Sequence, residues 1–210
     1  MAKNTKKREL KFMANGMGQV ARILYKEIVA GDLRKIHAES NDADTGGGAR
    51  DFRFGSYPSI SAIVMRMFPD QVVENRRRGG MSVPTTIYSG QFYWYDQAGN
   101  VRRAVSYFEP PTDARPTEGR ITRVHEQPCL STDLMPRPTA GNRVFLLLIQ
   151  LLDDTVWPYY AEEQTLRTAG LWDPQVAQRM LQCIDAQRRA DQAVIGFFDF
   201  LNGGSYCNGR

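Results

Sequence analysis

Two polar segments carry the residue types that read the edges of DNA bases. The first runs from Ser40 to Arg53 and contains three consecutive glycines. The second runs from Glu109 to Val124 and contains three prolines and three arginines. Arginine can donate two hydrogen bonds to guanine, asparagine can pair in the same way with adenine, and acidic side chains accept from the amino group of cytosine. Long polar loops on a rigid scaffold are typical of recognition sites, so both segments are predicted to bind a ligand.

A less specific interpretation exists for each segment. The first could be a flexible linker, because a polar stretch without periodicity buries too little surface to fold alone. The arginines of the second could form salt bridges at its rim, with Asp113, Glu118 or Glu126 as the partners.

The sequence shows no clear group of residues of the kind that catalyses reactions. His37 and His125 have no second histidine or cysteine at a spacing that holds a metal. A metal-dependent nuclease needs clustered carboxylates, often with a lysine that orients water, but lysine does not occur after Lys35. The acidic pairs Asp153-Asp154 and Glu162-Glu163 consist of adjacent residues, which point apart on a strand. We therefore expect no metal and no cofactor, and no catalytic residue is assigned.

The charge balance is mildly basic. Lysine and arginine number 27 against 23 acidic residues, which gives a net charge of +4 and a weak preference for polyanions. The cations cluster near the N-terminus, between Met1 and Lys11, and again at Arg76-Arg77-Arg78. The alternative for these clusters is an ordinary solvated surface.

Size and composition point to one domain with a small appendage. The chain has 210 residues, and 42% of them are hydrophobic. The longest apolar run, Val144 to Ile149, is far too short to span a bilayer, and the basic N-terminus lacks the apolar stretch of a secretory signal. Three widely spaced cysteines predict neither a disulfide framework nor a metal site, so a reducing cytoplasm is the expected location.

Hydrophobic spacing predicts the elements that position the two polar segments. A helix is expected over Val20–Ile36, with a break near Gly31, and another over Pro58–Phe68. The clearest element is a hairpin from Pro84 to Phe108, with its turn at residues 97–100. Strands are expected at residues 143–152 and 156–160. The chain then becomes helical from residue 161 to the apolar stretch Val194–Leu201.

Aromatic residues alternate along the predicted hairpin. Tyr88, Tyr93, Trp94, Tyr95 and Tyr107 lie at positions that packing inside a sheet explains better than base stacking. By composition, residues 1–15 are a basic mobile arm, residues 16–160 form the main domain, and residues 161–210 are a helical extension that packs on that domain or on a partner.

Several motifs together resemble a known family. Ser40-Asn41-Asp42 leads into Thr45-Gly46-Gly47, and an apolar helix follows that ends in Phe68-Pro69. This order resembles the N-terminal effector domain of EcoRII-type restriction endonucleases. The similarity is strongest over Glu118–Arg123, after Arg115, and extends over roughly His37 to Tyr160.

The resemblance implies an α+β fold built on a seven-stranded open β pseudobarrel, the DNA-binding pseudobarrel that is related to plant B-three DNA-binding domains. Flanking helices and a helical C-terminal tail would complete it. It also implies two arms that enter the major groove of double-stranded DNA, here the first arm, Ser40–Arg53, and the second arm, Pro111–Arg123. By position, the DNA-binding residues are Asn41, Asp42, Thr45, Gly46, Gly47, Arg50, Arg115, Glu118, Arg120 and Arg123.

The expected function is therefore sequence-specific binding of double-stranded DNA without catalysis, in restriction-modification or another defence against foreign DNA. Two alternatives stay open: a small restriction-type endonuclease that uses the acidic pairs, and a targeting subunit that recruits a nuclease or other effector through its helical tail. A homodimer is also open, and no membrane partner is expected. The family carries a separate nuclease domain, and the residues after Tyr160 have no counterpart in it.

Overall fold

A computed structural model describes residues 20–37, 51–54, 58–78, 80–113, 116, 119–139, 141–189 and 193–208. The side chains of residues 34–37, 76–78, 132 and 189 are not described. The predicted basic arm at residues 1–15 and eight of the ten predicted DNA-binding residues lie outside this part of the chain. Those eight are Asn41, Asp42, Thr45, Gly46, Gly47, Arg50, Arg115 and Glu118.

The described residues form ten strands and four α-helices. The strands are β1 (Val20–Glu27), β2 (Phe52–Arg53), β3 (Asp70–Arg78), β4 (Met81–Tyr95), β5 (Val101–Glu109), β6 (Arg120–Thr122), β7 (Val144–Leu151), β8 (Val156–Glu162), β9 (Ile195–Asp199) and β10 (Gly204–Cys207). The helices are α1 (Ala30–His37), α2 (Pro58–Met67), α3 (Glu163–Arg167) and α4 (Pro174–Arg189). Three short 3₁₀ turns, Val124–Glu126, Pro128–Leu130 and Thr132–Leu134, follow β6.

All ten strands belong to one open sheet. Their order is β10-β9-β1-β7-β8-β4-β5-β6-β2, and β3 pairs with β4 outside this path. Neighbours are antiparallel except β4 and β8, which meet in parallel at Phe92 and Val156. The expected α+β class is therefore confirmed at this level, with a ten-stranded sheet and few helices.

The middle of the sheet is buried on both faces. Every residue of β7 is buried, because alternate side chains enter two different hydrophobic cores. On one face, Leu146 and Leu148 pack with α2 and with Phe92 and Phe108. On the other face, Phe145, Leu147 and Ile149 pack with α4. A strand that is buried twice needs a continuous apolar run, which is what the sequence shows here.

Two segments that were expected to be helical are strands for the same reason, whereas residues 30–37 of the first expected helix are helical and form α1. Residues 20–27 are strand β1 rather than the first half of a helix, and residues 195–199 are strand β9 rather than a last helical turn. In β1, Leu24 enters one core while Ile23 and Tyr25 enter the other. A short apolar run that is buried on both faces has no strand periodicity, so it is easily taken for helix.

The remaining predicted elements are mostly confirmed. The helix over Pro58–Met67, the hairpin of β4 and β5, and strands β7 and β8 lie where they were expected. The three consecutive arginines, Arg76 to Arg78, form the end of strand β3. None of the helices among the described residues has the length and apolar character that crossing a bilayer requires.

A disulfide joins Cys183 of α4 to Cys207 of β10, whereas the sequence predicted none. The separation of 24 residues along the chain hid the pair, because nothing in the sequence indicates that the last strand returns beneath α4. The third cysteine, Cys129, is free and buried.

Candidate nucleic-acid interface

The ends of the two predicted arms meet on neighbouring strands. The first arm ends in β2 and the second arm ends in β6, and these strands pair through Phe52 with Ile121 and Arg53 with Arg120. The pairing extends one residue further, since the backbone N–H of Phe54 donates to the carbonyl of Gly119 at 2.7 Å. The second arm starts from β5, which pairs with β6 on its other side. The two arms therefore join the same short antiparallel pair of strands, at its opposite ends.

The side chain of Arg120 binds one residue at the root of each arm, Asp51 and Glu109. Its Nη1 lies 3.0 Å from Oδ2 of Asp51, and its Nη2 lies 2.7 Å from Oε2 of Glu109. Its Nε donates to the same Glu109 oxygen at 3.2 Å. Asp51 lies within the first arm, just before β2. Glu109 lies two residues before the second arm, and Arg120 lies near the end of that arm.

This cluster is buried. Arg120 is 8% exposed, Glu109 2% and Asp51 1%. Burial alone would lower the pKa of Arg120, but the hydrogen bonds and charges of Glu109 and Asp51 outweigh it and raise the pKa. Arg120 therefore stays charged and bound between two carboxylates. A direct contact between Arg120 and a base would require breaking these ion pairs, so its location indicates a positioning role at the root of both arms.

Arg123 fastens β3 to the end of the second arm. Its Nη2 lies 3.1 Å from each carboxylate oxygen of Glu74, and its guanidinium lies 4.4 Å from the centre of the Tyr107 ring. Its backbone has a φ of 57°, in the left-handed region that few residues other than glycine adopt. The side chain is still 36% exposed. Two of the ten predicted DNA-binding residues, Arg120 and Arg123, are described. Of these two, Arg123 is the one with an accessible cation.

The root of the arms rests on a packed core. Phe52, Phe108 and Ile121 are fully buried beneath it. Gly119 brings the backbone of the second arm close to this layer, since a Cβ there would lie 3.1 Å from the Phe108 ring and 3.3 Å from the hydroxyl of Ser61. The roots are therefore fixed by packing as well as by the ion pairs of Arg120.

The acidic pairs considered for a nuclease have structural partners. Asp153 accepts hydrogen bonds from the backbone N–H and the hydroxyl of Thr155, and these bonds lower its pKa. Asp154 accepts from Gln150 in the turn between β7 and β8. Glu163 is paired with Arg167 and Arg188. Within the described ranges, no three histidine, cysteine or acidic side chains come together as a metal site.

A small cavity opens beside the root of the first arm. Its volume is about 290 Å³, and Arg53, Phe54, Lys26, Asp32 and Asn208 contribute to its walls. The ammonium of Lys26 is paired with Asp32, and Arg53 lies 3.4 Å from Asp51. Lys26 and Asp32 therefore neutralise each other in the wall of this cavity.

Sequence reasoning missed Asp51 and Glu109 as the residues that hold the arms. A signal was present, because each lies where a polar segment meets an apolar strand. The sequence pattern also did not show that Tyr95 of β4 is exposed, because strand alternation does not reveal which face of a sheet is covered.

Comparison with known proteins adds nothing to this geometry: no protein-family model, no curated protein and no solved structure matches the chain.

Proposed function

We propose that the protein binds double-stranded DNA in a sequence-specific manner, that both arms enter the major groove, and that the sheet which carries them is an open pseudobarrel. The observation that carries this proposal is the shared root of the arms, where Arg120 binds Asp51 and Glu109. No catalytic step is part of the proposal. The biological setting proposed is restriction-modification or a related defence against foreign DNA.

The spacing of the roots suits one groove of a duplex. Paired strands lie about 4.8 Å apart. Strand β6 lies between β2 and β5, so β2 and β5 are roughly 10 Å apart. The major groove of B-DNA is about 12 Å wide. The lateral spacing of the roots is therefore within the width of one groove, whereas opposite edges of a ten-stranded sheet lie much further apart.

The charge of the molecule favours base reading over general coating of DNA. A net charge of +4 supplies few phosphate contacts for a chain of 210 residues. Residues suited to base edges occur on both arms, with Asn41 and Arg50 on the first and Arg115 and Glu118 on the second. Arg123 adds an accessible cation at the end of the second arm.

A duplex containing a randomised segment tests the proposal directly. Protein-bound duplexes are selected and sequenced, once with unmodified and once with methylated cytosine. We expect enrichment of one site. Arg115→Ala should weaken binding to that site by about 1–3 kcal/mol and change binding to a scrambled duplex little.

A matched variant controls for the loss of one charge. Arg137 is an exposed arginine outside both arms, so Arg137→Ala should leave the selected site bound as tightly as before. Selection without enrichment would contradict sequence-specific binding. Equal losses with Arg115→Ala and Arg137→Ala would show that only the net charge matters.

We place this function in the cytoplasm, where double-stranded DNA is accessible. The disulfide between Cys183 and Cys207 runs against this location, because disulfides are rare in reducing compartments. A count of free thiols in protein isolated from the cell tests the point: a cytoplasmic chain should yield three thiols, and an oxidised chain should yield one.

A further inference from the structure

A row of aromatic rings lies on the outer face of the sheet, at the end of the β4–β5 hairpin opposite Glu109. The Trp157 ring on β8 lies 5.0 Å from the ring of Tyr95 and 5.9 Å from the ring of Tyr93, both on β4. The register places Arg103 of β5 opposite Tyr93, and Val101 opposite Tyr95. Residues that face each other in such a ladder share one face of the sheet, so these five side chains form one surface, here called the aromatic face.

The aromatic face is partly open to solvent, since Tyr95 and Val101 are exposed while Tyr93 and Trp157 are half-buried. Tyr95 is 39% exposed and Val101 is 54% exposed, while Phe92, which points to the other side of β4, is 1% exposed. On the same side of the sheet, α4 packs over β1 and β7, and Trp157 lies at the border of that core. The tyrosines therefore lie beyond the part of the sheet that α4 covers. The alternating pattern predicted packing inside the sheet for both tyrosines, but Tyr95 is exposed.

The charge around the aromatic face is positive. Between Tyr93 and Phe108 the chain holds two arginines, Arg102 and Arg103, and one acidic residue, Asp96. Arg102 binds Asp96 at 2.8 Å, so this carboxylate is neutralised. Arg103 is exposed and has no hydrogen bond or ion pair within the described part of the chain. A cation thus lies next to the rings without a protein partner of its own.

We propose that the aromatic face binds single-stranded nucleic acid, with bases stacked on Tyr95 and Tyr93 and a backbone phosphate at Arg103. A row of rings on a sheet face, with Tyr95 exposed and Arg103 opposite Tyr93, matches a ligand that alternates flat bases with phosphates. The basic N-terminal segment does not match, because Lys3, Lys6 and Lys7 would meet a face of the same charge. This site is separate from the arms and from the duplex binding proposed for them.

Fluorescence anisotropy with a labelled fifteen-nucleotide oligothymidylate tests the site on the full-length protein. We expect the wild-type chain to bind the strand. Tyr95→Ala and Arg103→Ala should each weaken binding about fivefold or more. Arg103→Ala should also reduce the slope of log affinity against log salt by about 0.7, as expected for one lost phosphate contact. Tyr95→Phe keeps the ring and should bind within about twofold of wild type.

Phe200 provides a matched control, since it is an aromatic residue with the same 39% exposure as Tyr95 but lies outside the aromatic face. Phe200→Ala should bind the strand as wild type does. The proposal is overturned if the strand does not bind, if Tyr95→Ala binds it normally, or if a strand without bases binds as tightly.

Two further outcomes would assign the face to another ligand or another site. Displacement of the strand by polyglutamate at equal charge concentration would point to an acidic protein partner instead. Loss of strand binding in Arg115→Ala would assign the binding to the arms. Duplex selection is a separate measurement. If it enriches no site, the function proposed for the arms is rejected, and the oligothymidylate measurement still decides whether the aromatic face binds single strands.

Discussion

Arg120 is the side chain on which the arrangement of the two arms depends most directly. Replacing it by methionine would leave Asp51 and Glu109 buried, close together and without their counter-charge. We expect Arg120→Met to lower the free energy of unfolding by about 3 kcal/mol, measured by urea denaturation, since removing one partner of a buried ion pair is costly. Duplex binding should fall for every sequence alike, because both arms lose a shared support.

Arg120→Lys separates geometry from charge at the same position. Lysine keeps the positive charge but cannot donate from three nitrogens to two carboxylates, so we expect an intermediate stability. A different result would change the role of Arg120. If Arg120→Met keeps full stability and loses only binding to the selected site, the residue reads a base and does not support the arms.

Asp199 makes stability depend on pH at the end of β9. It accepts hydrogen bonds from Arg66 and Asn202 at 2.8 Å and lies 3.3 Å from Nε of Arg22. Burial alone would raise its pKa, but Asn202 and Arg22 outweigh burial and lower the pKa below the ordinary 3.8. The ionised form therefore stabilises the folded state above the pKa of the unfolded chain, and this contribution is lost as pH falls through the lower, folded-state pKa.

We expect Asp199→Asn to reduce the free energy of unfolding by about 2 kcal/mol at pH 7. The difference from wild type should shrink as the pH falls below about 4, where the carboxyl group of the wild-type chain takes up its proton. Denaturation curves for both chains between pH 2.5 and pH 7 measure this. A difference that stays constant over the whole range would show that charge at Asp199 does not contribute.

At the level of elements, a glycine sets how closely α2 packs on β4. A Cβ at residue 90 would lie 2.7 Å from the carbonyl oxygen of Met67 and 3.1 Å from the Cα of Phe68, both backbone atoms at the end of α2. Gly90→Ala should therefore push the helix off the sheet and lower the free energy of unfolding by about 1–3 kcal/mol. Gly141→Ala is the matched control, since a Cβ there would meet nothing within 4 Å. Equal effects of both substitutions would contradict this packing argument.

The elements also show what a single sequence can predict. The hairpin of β4 and β5 was predictable because a polar turn separates two runs rich in β-branched and aromatic residues, and these are local signals. Helix α2 was predictable from its proline start and its apolar face. Strands β1 and β9 were not, since their burial on both faces depends on α2 and α4, which are distant in sequence.

The candidate site was predictable to a similar extent. Composition singled out the two polar segments, and their roots meet on β6 and β2. The ion pairs that hold the roots were not predictable, because Asp51 and Arg120 are 69 residues apart and only the pairing of short strands brings them together. The outward direction of Tyr95 was hidden for a related reason: the sequence does not say where α4 ends on the sheet.

On the scale of the whole molecule, the C-terminal residues are part of the main sheet. Strand β9 pairs with β1, and Ile195 and Phe197 belong to the core that also contains α2. Deleting residues 165–210 would expose both cores, so we expect the truncated chain to lose cooperative unfolding in circular dichroism. A truncated chain that folds and still binds duplex DNA would instead show that the tail is separable, as a recruiting module would be.

The disulfide joins helix α4 to the last strand, β10. Cys183 and Cys207 lie 24 residues apart, and a loop of that length should contribute about 3 kcal/mol to the free energy of unfolding by restricting the unfolded chain. Replacing both by serine should lower stability by that amount, and dithiothreitol should destabilise the wild-type chain equally but leave the double variant unchanged. Cys129 should not interfere, because burial raises the pKa of its thiol to about 12 and keeps it unreactive while the chain is folded. If dithiothreitol also destabilised the double variant, the effect would have to come from a source other than this disulfide.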